Sequence, residues 1–201
     1  MSKYSSTRSA TGQIIGRLQR GIESGNPATK RDLAVLRRAV GRDPVDHPDA
    51  LGIVAGALDP DLCGDGYVSD CERAVYTAVT LWAYHSQLMP GAAHTPSTKG
   101  ERGRTIGHAI GELVRRDTGT SYNDHPIRRR WQYMVAADTV DMVAARARSI
   151  VSQLARAGIG FDYCDLAGAL VHWETYPEHR RRALMRWSRG THTPTHTSTQ
   201  N

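Results

Sequence analysis

The chain has 201 residues, of which 39% are hydrophobic, and a formal net charge of +6 with a sequence pI of about 9.5. This length suits one large domain or two small ones. No run approaches the roughly 18 apolar residues of a membrane span, and the polar N-terminus lacks the apolar core of a secretory signal. These features predict a soluble, cytoplasmic protein with no membrane association.

Arginine accounts for nearly all of the positive charge. Of the 26 basic residues, 23 are arginine, whose planar guanidinium group suits bidentate contacts with phosphate. This balance favours nucleic acid as a partner, although positive charge can also serve solubility alone. The three cysteines include no Cys-x-x-Cys spacing, which indicates reduced thiols rather than a disulfide framework.

In chain order, residues 1–9 are polar and are predicted to be disordered. Apolar residues at helical spacing then predict helices at about 11–23, 28–42 and 50–58, and from a cap at Ser69 to about residue 87. These helices form a predicted N-terminal lobe over residues 10–88. Residues 89–103 are rich in Gly, Pro, Ser and Thr, which predicts a flexible loop or linker between lobes.

The second half of the chain is also predicted to be helical. Helices are predicted at about 104–116, from Pro126, from Val140 to a stop at Gly158, at about 162–173 and from Pro177 to about 190. They form a predicted C-terminal lobe over residues 104–190, followed by a polar tail, 191–201, that is predicted to be disordered. Strand signals are weak, so the fold class is all-α, with two helical bundle lobes and eight or nine helices.

The second helix carries a concentrated positive stripe. Its apolar residues set the buried side, and the remaining surface holds five cations: Lys30, Arg31, Arg37, Arg38 and Arg42. Only Asp32 offers local compensation. Solvated helix faces usually mix the two signs of charge, so this stripe favours a binding surface over a merely solvated one.

A second set of cations follows Pro126. Arg129 and Arg130 belong to a run of three arginines, and the long helix carries Arg146 and Arg148. Two residues advance about 200° around a helix, so these last two side chains lie about 160° apart and are not expected to face one groove. Arg180–Arg182 form a further cluster close to acidic residues, which favours a solvated or subunit-contact face.

Catalytic and metal-binding motifs are absent from the sequence. It contains no HExxH, no Glu-x-x-His, no GxSxG and neither of the glycine-rich phosphate loops. The histidines show no zinc spacing with the cysteines. We therefore predict no catalytic residues, no metal site and no cofactor.

Several segments resemble, in order and spacing, the CasB family, the small subunit of the type I-E CRISPR surveillance complex, Cascade. The matching segments are LAVLRRAVG (33–41), TLWAYHSQ (80–87), TIGHAIGELVRR (105–116), IRRRWQYMVAAD (127–138) and ARARSIVSQLARAGIGFDYCDLAGALVHW (145–173). The resemblance covers about residues 11–189. Departures lie in the loops 59–68 and 89–103 and in the C-terminal tail.

The resemblance implies an all-α subunit without catalytic activity. Two copies are expected head to tail within Cascade, in contact with the backbone subunits and the large subunit. The positive surface is expected to hold the displaced non-target DNA strand and to support the guide RNA–target DNA heteroduplex. The family has a basic residue on the long helix at Arg148, so Arg146 is interpreted as structural.

The residues predicted to bind nucleic acid are Lys30, Arg31, Arg37, Arg38, Arg129, Arg130 and Arg148. An alternative is a stand-alone helical DNA-binding regulator, which needs a compact helix-turn-helix with base-reading residues on a recognition helix. A third hypothesis is an enzyme or ligand-binding bundle, for which the sequence offers no constellation of residues.

Overall fold

The computed structural model describes residues 2–97, 104–117, 119 and 121–192. Within these ranges the chain forms nine α-helices and no extended strand, which confirms the predicted all-α class. No helix in the described ranges is both long and apolar enough to cross a bilayer. The helices are α1 (Lys3–Glu23), α2 (Pro27–Arg38), α3 (Pro48–Ala55), α4 (Asp70–Leu88), α5 (Ile106–Arg116), α6 (Pro126–Val135), α7 (Val140–Arg156), α8 (Tyr163–Leu170) and α9 (Pro177–His192).

Helix α4 is the centre of the fold. Ser69 caps it as predicted, accepting from the backbone N–H of Glu72, whose carboxylate accepts in return from the N–H of Ser69. The helix is buried along most of its length and packs against α1, α2, α3, α7 and α8. Trp82 is 1% exposed and lies in the core.

Helix α1 begins at Lys3, so the predicted disorder of residues 1–9 is wrong for residues 3–9. Its first turns pack against α8: a Cβ placed on Gly168 would lie 2.8 Å from side-chain atoms of both Tyr4 and Arg8. Thr7 is fully buried in this contact region. The polar N-terminal sequence becomes helical because a distant helix covers it, which local composition does not reveal.

Helix α2 ends at Arg38, four residues before the predicted end. Gly41 then adopts φ of +69°, a left-handed conformation that suits glycine. The Tyr76 hydroxyl donates to the carbonyl oxygen of Ala39 at 3.2 Å and fixes the chain where it leaves the helix. Arg42 therefore lies beyond α2 and not on its stripe.

One hydrophobic core runs through both predicted lobes. Helix α1 packs on α8 and helix α4 packs on α7, so the contacts cross the predicted boundary. The division into lobes at 10–88 and 104–190 stays a prediction.

In the predicted linker 89–103, the Phe161 backbone bonds to Ala93 and Thr95, while residues 98–103 lie outside the described residues. Helix α9 reaches His192, and residues 193–201 of the predicted disordered tail also lie outside them.

Helices α5 and α9 approach each other closely because glycines line their contact. Gly107 and Gly111 are one turn apart on α5, and a Cβ on either would overlap the carbonyl oxygen of Trp187 or Thr191 on α9. Trp187 is fully buried and stacks on Trp173, with ring centroids 5.7 Å apart. Close backbone contact on one side and stacked aromatic rings on the other fix α9 to the rest of the fold.

Candidate nucleic-acid interface

Arg37 is the most constrained of the predicted binding residues. It reaches from α2 to α4, where its Nε donates to the carbonyl oxygen of Ala83 at 3.1 Å. This carbonyl lies about one and a half turns before the C-terminal end of α4. The side chain is half-buried, and burial lowers the pKa of its guanidinium group. A charge that is partly removed from water in this way gains from a nearby anion.

Arg148 approaches the same part of α4 from α7. Its Cζ lies 5.1 Å from the centroid of the Tyr84 ring, a cation–π contact. Arg37 and Arg148, which are distant in sequence, are thus brought to consecutive residues of α4, Ala83 and Tyr84. Tyr84 is half-buried and carries the arginine on its ring, a role that the sequence alone does not reveal.

The C-terminal end of α2 also lies beside α7. A Cβ on Gly41 would be 3.1 Å from the Cα of Ala145, so the turn after α2 touches the middle of α7. Arg38 is exposed at this end of α2. Lys30 and Arg31 are exposed closer to its N-terminus, about 10 Å away along the helix axis. The α2 cations and Arg148 therefore form one group.

Arg129 and Arg130 form a second group, on the other side of α7. Both are exposed on α6, which packs on α7. With the Gln153 amide oriented to face its donors, its oxygen accepts from Arg130 Nε at 3.2 Å and from Nη1 at 2.9 Å. The outer face of α7 between the two groups is uncharged and small: Ala145, Ser149 and Ser152. The structure thus divides the predicted residues into two groups along α7.

None of the seven predicted binding residues forms an ion pair within the described part of the chain. Other arginines do form ion pairs. Arg73 Nη1 lies 2.5 Å from Asp141 Oδ2, and Arg180 Nη1 lies 3.2 Å from Asp138 Oδ1. The pairing of Arg180 fits the expectation that the Arg180–Arg182 cluster is a solvated or contact face. The α2, α6 and α7 cations remain uncompensated and accessible to an anionic partner.

Arg146 lies on the α6 side of α7, opposite Arg148, as the helical angle predicted. Its Nη1 donates to the carbonyl oxygen of Tyr133 at 2.6 Å. Its Cζ also lies 3.8 Å from the centroid of the Tyr133 ring. The guanidinium group therefore ties α7 to the C-terminal turn of α6 and does not join the Arg37–Arg148 group.

The fold also gathers three groups with metal-ligating chemistry that sequence spacing did not suggest. Ligand atoms of His94, Asp162 and Cys164 lie within 4.8 Å of one another. Hydrogen bonds already account for each group. His94 Nδ1 accepts from the Tyr163 N–H at 3.2 Å and its Nε2 contacts Cys164 Sγ at 3.7 Å, while Asp162 caps α8. Burial raises the pKa of the Cys164 thiol to about 12, which favours the neutral thiol. The cluster suits a structural role that holds residues 93–97 against α8.

The described chain is an all-α protein with a cationic surface whose predicted binding residues form no ion pairs. The family described as CRISPR-associated protein Cse2 matches residues 32–190, which is most of the chain. The protein therefore belongs to the Cse2 (CasB) family of CRISPR-associated proteins, as the sequence resemblance indicated.

Two solved structures share this fold. The crystal structure of CasB from Thermobifida fusca superposes with a TM-score of 0.71 at 27% sequence identity, covering 93% of this chain and 98% of that one. A Cse2-family CRISPR-associated protein from Thermus thermophilus superposes with a TM-score of 0.60 at 23% identity, covering 90% and 97% of the two chains. The search of curated proteins gives no match.

Proposed function

We propose that this protein is a non-catalytic small subunit of Cascade and stabilises the R-loop by binding nucleic-acid backbones. Its basic surface holds the displaced non-target single strand and supports the guide RNA–target DNA heteroduplex. Its protein partners are the backbone and large subunits and a second copy of itself placed head to tail. Membership of the Cse2 family supports this role in a CRISPR complex.

The observation that carries the proposal is the uncompensated pair Arg37 and Arg148 at one end of α4. Arg37 uses only its Nε on Ala83, which leaves both Nη groups for a ligand. Arg148 lies over the Tyr84 ring, with its Cζ 5.1 Å from the ring centroid, and remains exposed. Two positioned guanidinium groups without a carboxylate suit two phosphates of one strand.

Backbone contacts are sufficient for this function. In an RNA-guided complex, base pairing with the guide reads the target sequence, so the protein does not need to read bases in a groove. Forming the R-loop exchanges one duplex for another of similar stability. A few phosphate contacts that hold the displaced strand can therefore tip the balance against re-annealing.

The basic helices are poorly suited to the alternative, a stand-alone regulator that reads a major groove. Such a protein places base-reading side chains at the start of a recognition helix. The cap of α2 is Asn26, whose side-chain oxygen already accepts from the Ala28 N–H at 2.9 Å. Helix α6 begins with Pro126 and the buried Ile127. The first turns of both helices contain no Asn or Gln side chain that could make a bidentate contact with adenine.

Binding of single-stranded DNA by the full-length chain tests the proposal. A labelled oligonucleotide titrated at several salt concentrations is expected to bind regardless of sequence. The logarithm of its affinity should fall with the logarithm of salt concentration by about 0.7 for each phosphate contacted. Absence of binding at low salt, or an affinity that salt does not change, would exclude the basic surface as a strand-holding site.

A further inference from the structure

Tyr133 is a large aromatic side chain left on the surface one turn after the α6 cations. It is 63% exposed. Arg129 and Arg130 precede it by four and three residues, so all three side chains share one side of α6. Side chains on a helix lean toward its N-terminus, which carries the Tyr133 ring over the turn that holds both arginines.

Arg146 fixes this ring in place. Its Cζ lies 3.8 Å from the ring centroid, a stacked guanidinium on one face. The same guanidinium group donates to the backbone carbonyl oxygen of Tyr133 at 2.6 Å. The guanidinium group therefore contacts both the ring and the backbone of Tyr133, which sets its orientation. Since the side chain stays mostly exposed, the opposite face of the ring is available to solvent. A rigid ring with one covered and one open face is a stacking platform.

Other exposed tyrosines in the described chain lack this arrangement. Tyr67 is 70% exposed, but no guanidinium group lies over its ring and it sits in a loop with acidic neighbours. Tyr176 packs against His172 and His179. Among the residues that the structure describes, only Tyr133 combines an exposed ring, a stacked arginine and two cations without ion pairs one turn away.

We propose that Tyr133 stacks on a base of the bound single strand while Arg129 and Arg130 contact its phosphates. Arg146 is a positioning residue that acts through the ring. This inference rests on the proposed function and adds the nucleobase as a second recognised group. Aromatic stacking accepts every base, because each base has a π-face, so it suits a strand of arbitrary sequence.

The test compares a single-stranded oligonucleotide with an abasic oligonucleotide of the same length, using the full-length chain. Tyr133→Leu should weaken binding of the base-containing strand about tenfold and leave binding of the abasic strand unchanged. Tyr133→Phe, which keeps the ring, should bind as the unmodified protein does. Tyr67→Leu is the matched control and should change neither affinity. Arg146→Gln should reduce the preference for the base-containing strand. If Arg146 only stabilised the fold, its replacement would leave this preference unchanged.

The outcomes separate this inference from the proposed function. If Tyr133→Leu binds the base-containing strand as tightly as the unmodified protein, or loses affinity equally for both strands, the stacking platform is wrong and backbone binding stands. If the unmodified protein binds neither strand, the proposed function fails and the platform fails with it. Thermal unfolding of each variant confirms that the chain remains folded.

Discussion

Replacing Arg37 and Arg148 together by glutamate is expected to weaken single-strand binding about 100-fold or more. A hydrogen bond to a charged group contributes about 1.5–3 kcal/mol, and two such contacts amount to about 3 kcal/mol or more. Both side chains lack carboxylate partners, so no internal ion pair is broken by the change. The salt dependence should also become shallower by about 1.4, because two phosphate contacts are lost.

The matched control is the pair Arg181→Glu and Arg182→Glu on α9, which alters net charge by the same amount. Both residues are exposed and lie outside the two groups along α7. This control should lower affinity only through the long-range change in charge and should leave the salt slope nearly unchanged. An equal loss in both double variants would mean that net charge, and not the Arg37–Arg148 pair, determines binding.

Because Arg37 also bonds to Ala83, the pair Arg37→Gln and Arg148→Gln provides a milder variant that keeps a donor at each position.

Gly107→Ala is expected to destabilise the fold by about 3 kcal/mol, at the upper end of the usual cost of overpacking. The added Cβ would overlap the Trp187 carbonyl oxygen, which is backbone and cannot rotate away. Helices α5 and α9 must then separate, which disturbs the stacking of Trp187 on Trp173. For a chain of this length the midpoint of thermal unfolding should fall by about 6–12 °C.

Gly52→Ala is the matched control for that substitution. Gly52 is an exposed helical residue of α3, and a Cβ there would meet nothing within 4 Å. Because alanine has a higher helix propensity than glycine, the control should stabilise the protein by up to about 1 kcal/mol. If the two variants unfold at the same temperature, the close approach of α5 and α9 is not the constraint that we infer.

Local signals in the sequence were sufficient to predict most of the helices. The cap at Ser69, the proline at the start of α6 and the stop at Gly158 act within a few residues, and all three are confirmed. The wrong boundaries arise from long-range contacts. Residues 3–9 are helical because α8 covers them, and α2 ends early where Tyr76 bonds to the Ala39 carbonyl.

The candidate site was predictable only in part. The helical angle between Arg146 and Arg148 placed them on opposite sides of α7, because that angle follows from the helix alone. Which helices lie side by side does not follow from the sequence of any one helix. Contact of Arg37 with Ala83 and of Arg148 with Tyr84 therefore could not be predicted, and the assignment of all seven binding residues stays a prediction.

We propose that the basic surface prolongs the life of the R-loop, and the lifetime of the R-loop in assembled Cascade tests this most directly. The variant Arg37→Glu with Arg38→Glu removes adjacent cations at the end of α2 beside α7. The variant is expected to assemble with guide RNA and the other subunits but to release the R-loop sooner than the unmodified complex. An unchanged lifetime in a fully assembled complex would contradict the assignment of this surface to the displaced strand.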